Sequence, residues 1–590
     1  MKKLCILFVV FTATVSLMAQ QHGAMNFIGT GTFYVPSMKD QSLTTNIKDT
    51  IVVEMTENNT ASITLPKMVY TGMGSALTVN PFTVTGASWS MDMATFVSSW
   101  PEQSFTTTTI GIDGFEKSIT GTLQANYIHS SGAFELTATF NYGSMPFPLT
   151  YESTGYYTVS NAWGLAGRGT AKNPYKIYDA ADFAAMAANF SDTNDGTNEY
   201  FLMMNDVDFG GSAENPAQLP AIGKKYISNV NNVTAGFNGS FDGQDYVISG
   251  IYHTRAENNT DGKFNALFSS VDSAGVIKNL TFSADNYIKS YNYAAPFASL
   301  SQGTIENCTN NADLTAANYA GAGIVGHIIK GKGRIVNCTN NGNITAMTYA
   351  AGIVGGSQSG SSVSATASGY LSVIEDCTNN GTIMSTNGTG SAGIVGVFTG
   401  SIRNCTNFGT IDDSQSTAKS RMYTAGIVAS ASYILEIDNC TNKGTVAGGR
   451  MVGGVLAQVA KGDDADITIT NCFNYGSVTA DSIVGGVAGN TARVNGVVTL
   501  EACENYGTVT ATGNANLSGN LRGNAAIVIG SNCKIGSELT KLPLDPDETA
   551  IHSIVNEDED EDEPVAFDLT GRRFSGKGLK IQNGKVVFSK

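Results

Sequence analysis

One short phrase recurs along the middle of the chain, and this repetition constrains the fold more than any other feature. It reads VIEDCTNNGTI at 373–383 and SIRNCTNFGTI at 401–411. Its cysteines follow one another at intervals of 28 to 39 residues. Repetition at this period indicates an array of similar structural units, each packed against its neighbours. The repeat cysteines are Cys308, Cys338, Cys377, Cys405, Cys440, Cys472 and Cys503.

A second phrase lies between successive cysteines. It reads GAGIVG at 321–326, AAGIVG at 350–355 and SAGIVG at 391–396. Short β-branched runs that are bounded by Gly and Asn are typical of strands rather than helices. Two anchors that alternate in a fixed order therefore predict a β-solenoid, whose coils stack with strands about 4.8 Å apart.

The stretch before the repeats contains a helical pattern and then a glycine-rich phrase. DAADFAAMAANF at 179–190 predicts a helix with Asp179 as its N-cap, and GFNGSFDGQDYVISGI follows at 236–251. This order resembles the start of Gly-rich right-handed β-helices of the GLUG-repeat kind. The resemblance covers about residues 165–535. It implies a right-handed parallel β-helix whose first coil is capped by a short helix.

Residues 25–158 alternate between apolar and polar side chains with period two. In AFELTATFNY at 133–142, the apolar residues fall on one face of a strand. A set of half-buried strands in about 130 residues predicts a sandwich or an up-and-down barrel. The stretch resembles the calycin-like (lipocalin-like) barrel domains of secreted Bacteroidota proteins. Such barrels can enclose a small apolar ligand, although we expect an interior filled by side chains.

The two ends of the chain predict export. Residues 1–19 read as a secretory signal peptide, with Lys2 and Lys3 before an apolar core. Near the other end, the acidic run Glu557 to Glu563 repels itself and predicts an extended linker. Calcium binding by this run is a weaker alternative, because flexible carboxylates bind the ion poorly.

The last 26 residues predict a short β-hairpin around Asn583-Gly584. They resemble the C-terminal sorting modules of Bacteroidota type nine secretion, with Asp568, Gly571, Gly578 and Gly584 in matching places. Lys580 stands where that pattern usually carries an aromatic residue. An active sorting module and a vestigial one both remain open.

The predicted fold class is all-β, with a calycin/lipocalin-like β-barrel followed by a right-handed parallel β-helix that has a short N-terminal capping helix. The predicted segments are a signal peptide at 1–19, the β-barrel at 20–160, the β-helix with GLUG-like repeats at 161–540, the acidic linker at 541–564 and the sorting-like hairpin module at 565–590.

Charge and hydropathy exclude two classes of partner. The net charge is -16 and the 34 Lys and Arg residues are spread thinly, so no basic stripe is available to neutralise phosphates. We therefore expect no nucleic acid partner. After the signal peptide no apolar run approaches about 20 residues, so we expect no transmembrane segment. The expected location is the cell surface or the medium, with attachment to the outer membrane included.

The recurring cysteines raise the question of chemistry. They show no C-x-x-C spacing, and the five histidines are scattered, so we expect neither a metal site nor another cofactor. In a stack the cysteines would form a row, and we expect reduced thiols that act as small buried apolar groups. Disulfides between neighbouring coils are the alternative, because stacked Cα atoms fall within bridging range. The N-C-T triplets also fit the glycosylation signal, but the bacterial resemblance argues against it.

Within SIRNCTNFGTI six residues receive an expected role. Ile402 and Ile411 supply the core, and Cys405 is a small filler. Asn404 and Asn407 are assigned to a turn. Gly409 is expected to supply backbone freedom.

The sequence contains neither a G-x-S-x-G elbow nor an H-E-x-x-H helix nor a Walker loop. We therefore predict a non-catalytic, adhesin-like binding protein, whose solenoid presents a polar Asn/Thr/Ser-rich face to glycans or to host and bacterial surface proteins. A polysaccharide lyase or glycosidase is the first alternative. It requires acids from neighbouring coils to meet in a groove, with Asp412, Asp413 and Asp438 as candidates. A purely structural spacer is the second alternative.

Overall fold

The structure is a computed structural model of the 590-residue chain. It describes residues 24–535 with gaps at 40–42, 57–58, 72–75, 159–160, 224–235, 256, 259–263, 330–331, 358–371, 388, 417–422, 491–496, 514–517, 520–521, 523–527 and 530–533, and it describes four short segments between 566 and 589. Residues up to Ile535 form one compact unit, and residues from Gly536 form a second. The predicted signal peptide, the acidic linker and the Asn583-Gly584 turn lie outside the described residues.

An antiparallel sheet at the N-terminus curls into a nearly closed barrel, as the alternating pattern predicts. In β10, every apolar residue of AFELTATFNY is buried and every polar residue between them is more exposed. The order in the sheet is β6-β3-β2-β1-β11-β10-β9-β8-β7. A single-turn 3-10 helix, Pro36–Met38, follows β1, and β4 pairs with β5 in a separate two-stranded sheet. The strands are β1 (Ala24–Tyr34), β2 (Thr44–Thr56), β3 (Thr60–Leu65), β4 (Met68–Tyr70), β5 (Leu77–Val79), β6 (Phe82–Ser88), β7 (Ser90–Asp92), β8 (Val97–Ile110), β9 (Glu116–Ile128), β10 (Ala133–Tyr142) and β11 (Leu149–Thr158).

Side chains close the seam of the barrel between β6 and β8. A bulge in β8 between Trp100 and Gln103 turns the Gln103 amide toward β6. Its Oε1 accepts from the Ser88 backbone N–H at 2.7 Å, and its Nε2 donates to the Ser88 carbonyl at 3.0 Å. The amide thus supplies the pair of hydrogen bonds that a neighbouring strand would otherwise supply.

The predicted capping helix is confirmed as α1 (Ala180–Asn189). The Asp179 carboxylate accepts from the Asp182 N–H at 3.0 Å, which satisfies one of the orphan donors of the first turn. Phe183 and Met186 are buried on the side that faces the first coils. This end of the solenoid core is therefore covered.

After α1 the chain forms stacked, in-register parallel strands, and the β-solenoid is confirmed with about seven turns. The first of its three long sheets contains Tyr175–Ile177, Tyr200–Met203, Val207–Asp208, Ser240–Asp242, Val247–Ser249, Val276–Phe282, Thr304–Asn310, Arg334–Val336, Thr339–Asn340, Ser372–Glu375, Thr378–Asn379, Val395–Arg403, Thr406–Asn407, Val428–Asp438, Thr441–Asn442, Leu456–Thr470, Phe473–Asn474, Ala488–Asn490, Val497–Glu501, Glu504–Asn505, Val528–Ile529 and Lys534–Ile535.

The other sheets of the solenoid complete each coil. The second sheet contains Tyr252–His253, Tyr287–Ser290, Asp313–Ala316, Ile344–Ala346, Ile383–Ser385, Ile411–Asp412, Val446–Gly448, Val478–Ala480 and Val509–Ala511. The third contains Ala320–Ala322, Tyr349–Ala351, Gly390–Ala392, Tyr423–Ala425, Met451–Gly453, Ile483–Gly485 and Ser518–Gly519. A short sheet contains Phe268–Val271, Ala298–Ser301 and Val325–Ile328.

A ladder of buried asparagines runs through the stack at the second Asn of the repeated motif. Within it, Asn379 Nδ2 donates to Asn407 Oδ1 at 2.8 Å, and Asn407 Nδ2 donates to Asn442 Oδ1 at 2.8 Å. Asn407 Nδ2 also donates to the Gly409 carbonyl in its own coil. Each amide thus ties one coil to the next and closes its own turn. The ladder comprises Asn310, Asn340, Asn379, Asn407, Asn442, Asn474 and Asn505.

The glycine of the second phrase packs directly against this ladder. A Cβ on Gly393 would lie 2.3 Å from Asn407 Cγ, and a Cβ on Gly426 would lie 2.3 Å from Asn442 Cγ. A side chain at either position would collide with an amide that cannot move without breaking the ladder. The two repeated phrases therefore occur together because one supplies the amide and the other supplies the space for it.

The expected role of Asn407 is incomplete, and the reason expected for Gly409 is wrong. Asn407 closes its turn through the Gly409 carbonyl, as expected, but it is also a fully buried ladder residue, which the sequence did not predict. Gly409 is outside the left-handed region; its need for glycine is steric, because a Cβ would lie 2.0 Å from the Gly381 carbonyl. Asn404 is the residue that takes a left-handed conformation, with φ of 54°, which asparagine tolerates better than most residues.

The barrel and the capping region contact each other through charged and aromatic groups. Lys48 of β2 forms ion pairs with Asp182 at 2.7 Å and with Asp179 at 3.1 Å. The Tyr178 hydroxyl donates to the Ile28 carbonyl of β1 at 3.0 Å. These contacts hold the barrel against the first coil of the solenoid.

The C-terminal unit contains two short antiparallel pairs of strands, Ala566–Phe567 with Arg573–Phe574 and Gly578–Gln582 with Lys585–Ser589. The second pair flanks residues 583–584, where the sequence predicts a hairpin turn.

We expect the substitution Asn407→Ala to lower the free energy of unfolding by roughly 3 kcal/mol, because it leaves buried partners in three coils without a hydrogen bond. The control Asn404→Gly changes an exposed residue of the same motif and keeps the left-handed conformation accessible, so its effect should stay below about 1 kcal/mol. Equilibrium urea unfolding measures both effects. Equal losses for the two variants would contradict a structural role specific to the inner ladder.

Candidate binding strip

The outward positions of the repeated motif form one continuous surface, which we name the corner strip. Along N-C-T-N-x, the Cys and the second Asn are buried, so the other three side chains point to solvent. Each coil contributes one row of three, and the coils are in register. The rows are Asn307/Thr309/Asn311, Asn337/Thr339/Asn341, Asp376/Thr378/Asn380, Asn404/Thr406/Phe408, Asn439/Thr441/Lys443, Asn471/Phe473/Tyr475 and Ala502/Glu504/Tyr506.

The first three rows form a grid of amide, carboxylate and hydroxyl groups. Asn341 Nδ2 donates to Asn311 Oδ1 at 2.7 Å, and Asn380 Nδ2 donates to Asn341 Oδ1 at 2.7 Å. The first column is linked in the same way, with Asn337 Nδ2 donating to Asn307 Oδ1 at 2.8 Å. These bonds order the side chains, and each amide has two N–H groups, so it can still donate to a ligand.

In the later rows, large side chains replace the polar grid. Lys443 Nζ lies 4.7 Å from the centre of the Phe408 ring. The Tyr475 and Tyr506 rings stack with centroids 4.8 Å apart, and Phe473 lies 6.4 Å from Tyr475. The corner strip therefore has a polar half and an aromatic half.

The tyrosines of the aromatic half stay neutral at physiological pH. The Tyr506 hydroxyl donates to the Glu504 carboxylate, and this bond raises the pKa of Tyr506 to about 12. Burial raises the pKa of Tyr475 above its ordinary value. Both phenols therefore keep their O–H donors.

Sequence reasoning missed this change of character. The signal lay at the last position of N-C-T-N-x. This residue is Asn in the first three coils and then Phe, Lys, Tyr and Tyr in the next four. The column becomes visible only when residues about 30 apart are placed in register.

The structure does not bring the three candidate acids together. Asp412 faces outward from the second sheet, and Asp438 lies in the first sheet, where its Oδ1 accepts from Asn471 Nδ2 at 3.0 Å. Asp413 is fully buried. They therefore do not form the paired acids in a groove that the glycosidase alternative requires.

Asp413 instead connects strands of the second and third sheets through hydrogen bonds. Its carboxylate accepts from the Ser385 N–H at 2.7 Å, from the Ser391 hydroxyl at 2.9 Å and from the Thr424 hydroxyl at 2.8 Å. Although these donors favour the charged form, burial dominates and raises the pKa of Asp413 to about 7.

The seven repeat cysteines lie in the solenoid core and are fully buried. Among the described residues they form no disulfide. Cys405 Sγ, for example, donates to the Arg403 carbonyl at 3.2 Å. Burial raises the pKa of the Cys338 and Cys377 thiols well above the ordinary value, which suppresses the reactive thiolate.

In the part of the chain that the structure describes, no group of three or more His, Cys, Asp or Glu side chains is placed to hold a metal ion. Within the same residues, no helix is both long enough and apolar enough to cross a membrane.

The barrel interior is lined by aromatic rings in contact, such as Phe27 with Phe134 at 4.5 Å and Phe82 with Phe140 at 5.1 Å between centroids. Two buried donors at its wall, Tyr70 O–H and Trp100 Nε1–H, have no hydrogen-bond partner among the described residues. An acceptor inside the barrel would satisfy them.

We expect Asp413 to make stability depend on pH. The folded pKa of Asp413, about 7, exceeds the ordinary aspartate pKa of about 3.8, so the unfolded chain loses this proton first and stability falls as pH rises from about 4 to 7. The variant Asp413→Asn lacks this loss. The difference between the free energies of unfolding of the variant and the parent should therefore grow in favour of the variant, by about 1.4 kcal/mol for each unit of rising pH within this window. Urea unfolding at pH 5, 6 and 7 measures the trend, and the outward-facing Asp412→Asn is the control; parallel curves for Asp413→Asn and the parent would refute it.

The repeat cysteines should remain unlabelled by a thiol reagent in the native protein and should react when the solenoid unfolds. Mass spectrometry without reductant, after alkylation in buffer and in urea, measures both states. Peptides linked through cysteine, or rapid labelling in buffer, would contradict a buried row of reduced thiols.

No family model matches the chain. Halomucin from the archaeon Haloquadratum walsbyi is 29% identical over 160 residues, which is 27% of this chain. The match spans only 2% of the length of that curated relative.

Two solved structures are similar to parts of the chain. One is a Bacteroides ovatus protein provisionally named an immunoglobulin A1 protease, with 20% identity over 62% of this chain and 89% of the other, and a TM-score of 0.34. The second is a Bacteroides fragilis protein provisionally named an outer membrane protein, with 22% identity over 23% of this chain and 50% of the other, and a TM-score of 0.18. At these scores, neither similarity extends to function.

Proposed function

We propose that the chain is an exported, non-catalytic surface protein and that its corner strip binds neutral glycans. One observation carries the proposal: ordered amide and hydroxyl groups and then aromatic rings line the same outward column of consecutive coils. This proposal agrees with the predicted signal peptide, and it assigns binding to the solenoid rather than to the barrel.

The chemistry of the corner strip suits sugars. Amides and hydroxyls donate to and accept from sugar hydroxyls, whereas the apolar C–H face of a pyranose packs on an aromatic ring. Rows recur about every 4.8 Å along the axis. An extended glycan that lies along the axis therefore meets an equivalent row at each coil.

Charge favours a neutral glycan over an anionic one. The chain carries a net charge of -16, and Lys443 is the one cationic side chain in the seven described rows. Its ammonium already lies over the Phe408 ring. Sulfated or uronic acid polymers would meet repulsion from the carboxylates of Asp376 and Glu504 in the same strip.

The non-catalytic part of the proposal is supported by the positions of the candidate acids. Asp413 is shielded from substrate by burial, while Asp412 and Asp438 project from different sheets. A polysaccharide lyase or glycosidase on this solenoid would need another set of acids.

A glycan array probed with the mature chain tests the proposal. We expect binding to neutral glycans and at least tenfold weaker binding by the double variant Phe473→Ala/Tyr475→Ala, because it removes the widest apolar platform of the strip. The matched control is Met384→Ala, which removes a half-buried side chain from the outward face of the second sheet. Binding to no glycan, or equal binding by the strip variant and the parent, would contradict the proposal.

A further inference from the structure

The hairpin between β8 and β9 exposes an unusual amount of apolar surface. Ile110 is 53% exposed, Ile112 is 74% exposed and Phe115 is 71% exposed. These three side chains lie within six consecutive residues, and they contribute nothing to the barrel core. We name residues 110–116 the apolar tip.

The apolar tip is a well-formed turn. The Gly111 N–H donates to the Phe115 carbonyl at 2.8 Å, and the Gly114 N–H donates to the Gly111 carbonyl at 3.0 Å. The Asp113 carboxylate accepts from the Phe115 N–H at 3.1 Å and pairs with Lys117 at 2.6 Å. Gly114 supplies a φ of 79°, which the turn requires. The backbone therefore holds the apolar side chains outward.

Strand register places the apolar tip at one end of the barrel. Ile110 pairs with Glu116 at that end, and Val97 pairs with Ile128 at the other. Since β11 leaves the barrel at the Val97 end, where Tyr156 pairs with Ala133, the tip is at the end away from the chain's path to the solenoid. It is therefore free of the contacts that hold the barrel to α1.

We propose that the apolar tip inserts into the interfacial layer of a lipid bilayer. Three side chains at these exposures offer roughly 350 Å² of apolar surface, well short of the about 800 Å² per partner that a stable protein interface buries. A convex tip of this size suits the headgroup–acyl boundary, where apolar side chains enter by a few ångströms.

The charge around the apolar tip indicates which lipid headgroups it would meet. Asp113 is paired with Lys117, and Glu152 at the same end is paired with Lys39 at 3.2 Å. Lys67, which follows the end of β3 at that level, is exposed. Glu116, the last residue of the apolar tip, is exposed as well, and its carboxylate offsets the charge of Lys67. The described residues of this barrel end are therefore close to neutral, whereas the whole chain carries -16, so a zwitterionic surface is favoured over an anionic one.

Flotation of the mature chain with phosphatidylcholine–phosphatidylethanolamine vesicles tests the proposal. We expect the parent to float, and the double variant Ile112→Ser/Phe115→Ser to float at least tenfold less. The control Met93→Ser changes a side chain that is 49% exposed at the opposite end of the barrel, and it should float like the parent.

The inference would be overturned if the parent did not float or if the double variant floated equally well. It would also be overturned if light scattering showed a dimer of the parent that the double variant does not form, because the apolar tip would then contact a second copy of the chain. The inference is independent of glycan binding, because the apolar tip and the corner strip share no residue. A double variant that folds and keeps its binding on the glycan array, but no longer floats with vesicles, would support membrane insertion by the apolar tip.

Discussion

The interaction on which the solenoid depends is the hydrogen bond between buried asparagine amides of successive coils. A buried amide is costly unless both its donors and its acceptor are satisfied, and here each is satisfied by the coils above and below and by its own turn. The ladder in turn requires glycine at Gly393 and its equivalents, since any Cβ there would collide with an amide. One contact thus accounts for both repeated phrases.

This architecture leaves alternate positions of the motif free to change. Because buried and outward side chains alternate, Cys405 and Asn407 are committed to the core while Thr406 and Phe408 are not. Substitutions in the outward positions can alter recognition without disturbing the ladder. This separation allows one solenoid to carry a polar half and an aromatic half on the same strip, and it places the candidate site within the motif that first indicated the fold.

The sequence was sufficient to predict the β-solenoid, α1 and the alternating barrel strands, because these follow from period and from local capping. It did not distinguish Asp412 from Asp413, whose opposite environments depend on a strand that ends at Asp412. It misassigned Gly409, whose constraint comes from a carbonyl in the neighbouring coil. The aromatic column was missed for the same physical reason: its members are neighbours only in the stack.

We propose that a glycan lies along the corner strip while the ladder beneath it stabilises the fold. Hydrogen–deuterium exchange, measured with and without a neutral glycan selected on the array, tests both parts together. We predict slow exchange in the core strands in both states and added protection confined to segments 404–408, 439–443 and 471–475. Added protection on the second sheet or in the barrel, with none in these segments, would contradict the account.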